Sequence, residues 1–174
     1  MPSTRALIHL ENLRHNIAAV RGLLAPGVEL CPMVKANAYG HGAGIVAGAA
    51  VEAGVRFLGV ASVDEGLELR DAGVAVPVLV LRNLLPDETE AAVAADLVPF
   101  VADADGIEAL AAAAARLGRR ATAHLKIDTG MGRVGCRPAD APQLARRVAS
   151  SGSLALGGVC THFAGADMAE RGYT

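Results

Sequence analysis

Tryptophan is absent from the 174 residues, and aromatic side chains make up only 3% of them. So few flat rings leave no platform on which nucleic-acid bases would stack. An excess of charge is lacking too: the net charge is −2, which gives no long-range pull on nucleic acid or an anionic lipid surface. No apolar run reaches the roughly 18 residues that mark a membrane-spanning helix. The start, Met1-Pro2-Ser3-Thr4-Arg5, leads into a short apolar stretch cut by His9 and Glu11, without the apolar centre of a signal peptide. These absences predict no nucleic-acid partner, no membrane partner and a cytoplasmic protein. Cysteine is scarce. Cys31, Cys136 and Cys160 are odd in number and none forms a C-x-x-C pair, so each reads as a small buried hydrophobe. Cys160-Thr161-His162 supplies one pair of metal-ligating residue types, whereas a structural zinc site needs about four ligands. No metal is expected.

What is present is a globular composition, 52% hydrophobic and 20% charged, sufficient for one sizeable core. After residue 28 short apolar runs alternate with amphipathic stretches. Strands are predicted over Glu29–Val34, Phe57–Ser62, Val76–Leu81, Leu97–Ala102, Ala121–Asp128 and Leu154–His162, runs rich enough in leucine and β-branched residues to be buried on both faces. Helices are predicted over Gly44–Ala53, Val63–Ala72, Asp87–Ala95, Gly106–Arg116 and Ala139–Ala149. Ser62-Val63-Asp64-Glu65 has capping-box spacing, and Asp105 to Glu108 repeats it more weakly. Gly54, Gly73, Gly118 and Gly152 stand where helices stop. An earlier helix carries Leu13, Ile17, Val20 and Leu24 along one face and ends at Pro26-Gly27. Strict alternation implies an α/β fold with parallel strands and right-handed crossovers. Composition leaves an open doubly wound sheet and a (β/α)8 barrel both standing.

Three places carry chemistry. In Val34-Lys35-Ala36-Asn37-Ala38-Tyr39-Gly40-His41-Gly42 a lysine ends the apolar segment Leu30–Val34 and enters a glycine-bearing turn. Partial desolvation there would disfavour the ammonium and free the amine for imine formation and proton transfer. Tyr39 can turn its phenol back to the same pocket. In Lys126-Ile127-Asp128-Thr129-Gly130-Met131-Gly132-Arg133-Val134-Gly135 a strand runs into a glycine-punctuated loop that projects Arg133, a side chain suited to a carboxylate or a polarised oxygen. The plain alternative for Lys126 is a salt bridge to Asp128 or solvent exposure. Thr161-His162-Phe163-Ala164 closes the last strand, and a lone histidine there is otherwise a satisfied core residue. All three places lie where β/α enzymes put their chemistry, at or just past the carboxyl ends of strands. Glu65 to Arg70 reads as a solvated helix face with i,i+4 pairs. Gly42-Ala43-Gly44-Ile45-Val46-Ala47 has the outline of a dinucleotide fingerprint, but Lys35 to His41 separate it from its strand, and that reading is set aside.

At these residues the chain resembles the alanine racemase family, most closely over residues 33–42, 124–135 and 159–164. The resemblance implies a parallel (β/α)8 TIM-type barrel that binds pyridoxal 5'-phosphate (PLP). A complete barrel takes about 250 residues, so residues 1–174 read as the amino-terminal part, about six β/α units, with a carboxy-terminal β domain beyond them. It implies that Lys35 holds PLP as an imine and acts as one catalytic base, that Tyr39 bonds the cofactor phosphate, and that His162 packs on the cofactor. Arg133 would contact the substrate carboxylate and the PLP hydroxyl, braced by Lys126, a lysine often carbamylated in the family. The opposite base, a tyrosine of the partner subunit's carboxy-terminal domain, and the family's pyridine-nitrogen arginine and phosphate serine are matched by no residue here; Tyr173 is matched to none of them. The implied activity is interconversion of L- and D-alanine by a two-base mechanism in a homodimer, feeding peptidoglycan. Other readings are a racemase of the same fold for serine or lysine, and a PLP carrier without catalysis. The Arg133 loop argues against the carrier, which needs no clamp for a substrate carboxylate.

Overall fold

The computed structural model describes residues 5–169; Met1–Thr4 and Glu170–Thr174, with Tyr173, lie outside the described residues. The chain divides into two compact units, one up to Val78 and one from Leu79.

In the first unit, α1 (Leu10–Arg21) packs on α3 (Ala43–Glu52), and Arg14 bridges them by bonding Glu11 and Glu52, each at 2.7 Å. Only Ile17 of the expected apolar stripe is buried, and Val20 is exposed. The helix also ends at Gly22, four residues before Pro26. Strand β1 (Leu58–Val60) is buried at every position. The strand expected over Glu29–Val34 is reduced to a single parallel bridge, Met33 to Gly59. Gly59 donates to Pro32 O and accepts from Val34 N–H, at 2.9 and 2.8 Å. The next donor down that ladder would be Pro32 itself, which has no N–H, so the pairing stops. Helix α4 (Val63–Asp71) starts where the capping residues place it: Ser62 Oγ accepts from Glu65 N–H at 3.2 Å.

In the second unit, a 3-10 turn (Pro86–Glu88) and α5 (Thr89–Ala94) replace the single helix expected over Asp87–Ala95. Strands β3 (Leu97–Val101), β4 (Ala121–Lys126) and β5 (Leu154–Cys160) pair in parallel, with α6 (Ala104–Arg116) and α7 (Ala141–Ser150) as crossovers. Helix α6 is capped by Asp103, which accepts from Gly106 N–H at 2.7 Å, and not by Asp105 as the spacing suggested. Ile107, Leu110, Leu125, Val148 and Leu154 form the centre of its core. Each such side chain contributes about 1.5–3 kcal/mol on burial. Gly54, Gly73 and Gly118 follow helices at positive φ; Gly152 does not.

The β4–β5 register slips by one residue between Ala123 and His124, leaving Gly157 as the extra residue of a bulge. A Cβ on Gly157 or Gly158 would meet the His124 ring at 3.0–3.1 Å. That bulge sets Lys126 directly across from Cys160 and delivers Thr161 and His162 just past the strand end. Strand β2 (Val78–Val80) completes five strands among the described residues, one fewer than expected.

Candidate active site

Lys35 begins α2 (Lys35–Gly40), and this turn is left-handed. Ala36, Asn37, Ala38 and Tyr39 all have φ between 50° and 55°. An L-residue in that region costs about 1–2 kcal/mol, and glycine or asparagine normally takes the place. The strain is held by bonds at both ends. Ala38 N–H donates to Val34 O at 2.9 Å, and Gly42 N–H to Asn37 O at 2.9 Å. The Asn37 side chain accepts from Ala43 N–H at 2.7 Å, and Ala36 N–H donates to Glu65 at 2.7 Å. Persistent strain of this kind clusters at functional sites. The turn brings Lys35 and Tyr39 to one side, with the amine 5.9 Å from the ring centre. Lys35 is exposed, so the desolvation expected from the apolar segment is not supplied by these residues. Its amine has no hydrogen-bond or ion-pair partner among the described residues.

Lys126 is the converse case. It is only 8% exposed, at the end of β4, and its amine lies 5.8 Å over the Phe100 ring. Neither plain alternative holds: it is not solvated, and it makes no ion pair with Asp128. Phe100 also stacks on His124 at 6.1 Å with rings 9° apart, and burial pushes the His124 imidazole down from its usual value. The Cys160 thiol is moved up by burial, an effect that the Lys126 charge opposes.

Asp128 turns its carboxylate onto the loop ahead. It accepts from Gly130 N–H at 2.9 Å and Gly132 N–H at 3.1 Å. These bonds hold its carboxyl below the ordinary aspartate value and fix the backbone that leads to Arg133. Arg133 is exposed, and its guanidinium has no partner among the described residues. With Asn83, Asp103 and Gly135 it lines a cleft of about 430 Å³. Asn83 gives its amide N–H to Asp103 at 2.8 Å, while its Oδ1 is buried without a partner among the described residues. Thr161 Oγ1 lies 2.8 Å from Ile127 O and 2.7 Å from Thr129 Oγ1. With the Thr161 proton donated to the carbonyl, the Thr129 hydroxyl donates to Thr161. The two loops are thereby tied just ahead of His162. His162 is exposed, which removes the core-histidine reading.

The Asp128 bonds give a pH dependence. The folded carboxyl titrates below its unfolded counterpart, so the loop order is complete at neutral pH and is lost as pH falls through the folded value. The protection of the Gly130 and Gly132 amides, their exchange rate relative to the intrinsic rate at each pH, should hold steady from neutral pH down to the ordinary aspartate range and fall only below it, as the Asp128 carboxyl takes up its proton. Asp128→Asn should abolish that acid-side change. An unaltered profile in the variant would show that another group governs the loop.

Sequence reasoning missed Glu65, whose carboxylate serves two backbone donors instead of facing solvent. On that helix Arg70 donates to the carbonyls of Val74 and Val76, at 2.7 and 2.9 Å. Asn83 was missed as well, since a single asparagine after a strand carries no pattern.

Residues 8–174 match the family described as "Alanine racemase, N-terminal domain". An alanine racemase of Treponema denticola is 45% identical over 170 residues, which is 98% of this chain and 45% of that protein. An alanine racemase of Clostridium difficile, solved in complex with cycloserine, superposes with a TM-score of 0.91 at 34% identity, covering 94% of this chain and 45% of that one. A histidine racemase of Leuconostoc mesenteroides gives 0.86 at 28% identity, covering 94% and 44%. The chain thus spans less than half the length of the relatives it matches. The likeness supports the amino-terminal part of the parallel α/β barrel and excludes the open doubly wound alternative.

Proposed function

Because the chain belongs to the alanine racemase amino-terminal domain family, we propose that it is the cofactor-holding part of a PLP-dependent racemase that interconverts L- and D-alanine. The observation that carries this reading is the Lys35 turn. An accessible amine without an ion pair, beside a phenol, on a backbone held in a costly conformation, suits covalent capture of an aldehyde. The chain has only two lysines, Lys35 and Lys126, and the second is buried. The donor set fits PLP. Lys35 would hold it, Tyr39 would bond its phosphate and His162 would pack on its ring. Arg133, with no anion of its own, would take the substrate carboxylate and the cofactor hydroxyl.

PLP, when bound, supplies an electron sink for the pair left at Cα after proton loss. The residues of this chain handle the proton and the orientation. Lys35 Nζ, once released, removes or returns the Cα proton on one face. Arg133 would hold the substrate carboxylate and so limit the orientations of the bound amino acid. Lys126, buried without an acid partner, is the candidate for carbamylation, which would give Arg133 an anionic brace. The second base would come from the remainder of the racemase length, across a homodimer interface. Among the described residues no helix is long and apolar enough to cross a membrane. We place the enzyme in the cytoplasm, supplying D-alanine for peptidoglycan. The chain alone reads as the amino-terminal portion of the barrel domain, with a β domain following it. The histidine racemase with the same fold keeps a second substrate class in view, which a comparison of alanine, serine, lysine and histidine turnover decides.

Arg133→Ala in the intact protein should lower kcat/KM for alanine by about a hundredfold, the loss of a charge-assisted clamp of about 2–3 kcal/mol. The melting temperature should stay nearly constant, since the side chain is exposed and unpaired. Normal turnover with a large fall in stability would make Arg133 a structural residue and remove the clamp from this reading.

A further inference from the structure

We infer that Glu65 is a positioning residue for Lys35, acting through the backbone of the left-handed turn. The inference rests on the reading of Lys35 as the PLP lysine. In an ordinary capping box the N3 carboxylate reaches back to the N-cap N–H. Here Ser62 keeps its half, accepting from Glu65 N–H. The Glu65 carboxylate is used elsewhere. Oε1 accepts from Ala36 N–H and Oε2 accepts from Ala61 N–H, both at 2.7 Å.

One of those donors belongs to the residue immediately after Lys35, and it is the first residue of the chain's run of positive φ. The first N–H groups of a helical turn have no acceptor within the turn. A charged acceptor supplies one at that point and is stronger than a neutral one. The other donor follows directly on β1. The helix that carries Glu65 is fixed by Val63 and Leu69, both fully buried. One carboxylate therefore ties the end of a buried strand, a capped helix and the Lys35 turn together. Without it, Ala36 keeps its unfavourable φ and loses the bond that offsets it. The turn then samples other conformations, and the Lys35 amine samples other directions with it. A purely structural carboxylate would instead stabilise α4, and its loss would loosen the whole unit alike.

The experiment compares the intact protein with Glu65→Gln and Glu65→Ala. Two quantities are read: amide hydrogen exchange by residue, and the rate at which PLP with borohydride labels Lys35, located by peptide mapping. Glu65→Ala should accelerate exchange at Ala36 and Ala61 by about tenfold or more, as loss of a bond to a charged acceptor implies. It should slow labelling of Lys35 severalfold and leave exchange at Leu69 unchanged. Glu65→Gln keeps one acceptor oxygen and the side-chain shape, so it should fold even if the alanine variant does not, with a smaller effect at one of the two amides. Variants that label Lys35 as fast as the unaltered protein, or that loosen Leu69 as much as Ala36, overturn the inference. An unaltered protein that takes its label elsewhere than Lys35 refutes instead the reading on which the inference rests.

Discussion

Lys35→Ala should leave the fold intact and abolish racemisation. The side chain is exposed and makes no hydrogen bond or ion pair among the described residues, so its loss belongs with surface substitutions that change stability by about 0.5 kcal/mol or less. The chemical loss is of another order, because one amine holds the cofactor and then carries the proton. Removing a positioned base alone costs about a hundredfold to ten-thousandfold, and removing the covalent anchor adds to it. Turnover should therefore fall by at least about a thousandfold, with the melting temperature unchanged. Borohydride reduction of the unaltered protein loaded with PLP should place the label on Lys35. Within residues 1–174 the competitor that peptide mapping has to distinguish is Lys126. A label on Lys126, or a Lys35→Ala protein that still turns over alanine within tenfold of the original, would remove Lys35 from the mechanism.

The sequence made the β/α order legible because that signal is cumulative. Five of the six expected strands and the helices between them are present, each resting on several apolar residues at once. The missing one failed on a single proline, whose absent N–H outweighs the apolar run around it. The site residues were legible through motif and resemblance, but their surroundings were not. The sequence marks the Lys35 turn as a glycine turn. In the structure Ala36, Ala38 and Tyr39 carry positive φ that propensity assigns to glycine, and bonds to residues up to 29 positions away hold them. Such an override is invisible locally, as is the choice of Glu65 to serve another segment instead of its own cap. Lys126 shows the same limit. Two positions from an aspartate, it invites an ion pair, yet the strand points it into the protein and Asp128 spends its acceptors on Gly130 and Gly132. Where side chains follow backbone periodicity, the sequence suffices; where a polar group chooses between partners, tertiary structure decides.

Gly135→Ala should be among the most damaging single substitutions in the second unit, although it adds one methyl group. Gly135 has φ of 136°, outside the range that L side chains adopt easily. A Cβ there would lie 2.6 Å from the carbonyl carbon of Ile127 and 3.0 Å from Asp128 Cα. Both are backbone atoms, so no rotamer change relieves the clash. The adjoining bonds leave no slack: Asp128 N–H donates to Cys136 O and Cys136 N–H donates to Lys126 O, each at 2.9 Å. This short bridge closes the loop that Asp128 organises and Arg133 leaves. Strain and overpacking each cost about 1–3 kcal/mol, so a combined loss of about 3 kcal/mol or more is expected from the same two sources. The alternative to unfolding is displacement of the loop, which would move Asp128 away from Gly130 and Gly132 and misdirect Arg133. Urea unfolding and alanine turnover of the intact protein distinguish the two: a lower midpoint with proportionate activity means strain borne in place, and a near-normal midpoint with turnover reduced as in Arg133→Ala means a displaced loop. PLP labelling of Lys35 should persist in either case, since that lysine stands on a separate turn. A Gly135→Ala protein with unaltered midpoint and unaltered turnover would show that the backbone at Gly135 yields freely, and that this bridge does not set the direction of Arg133.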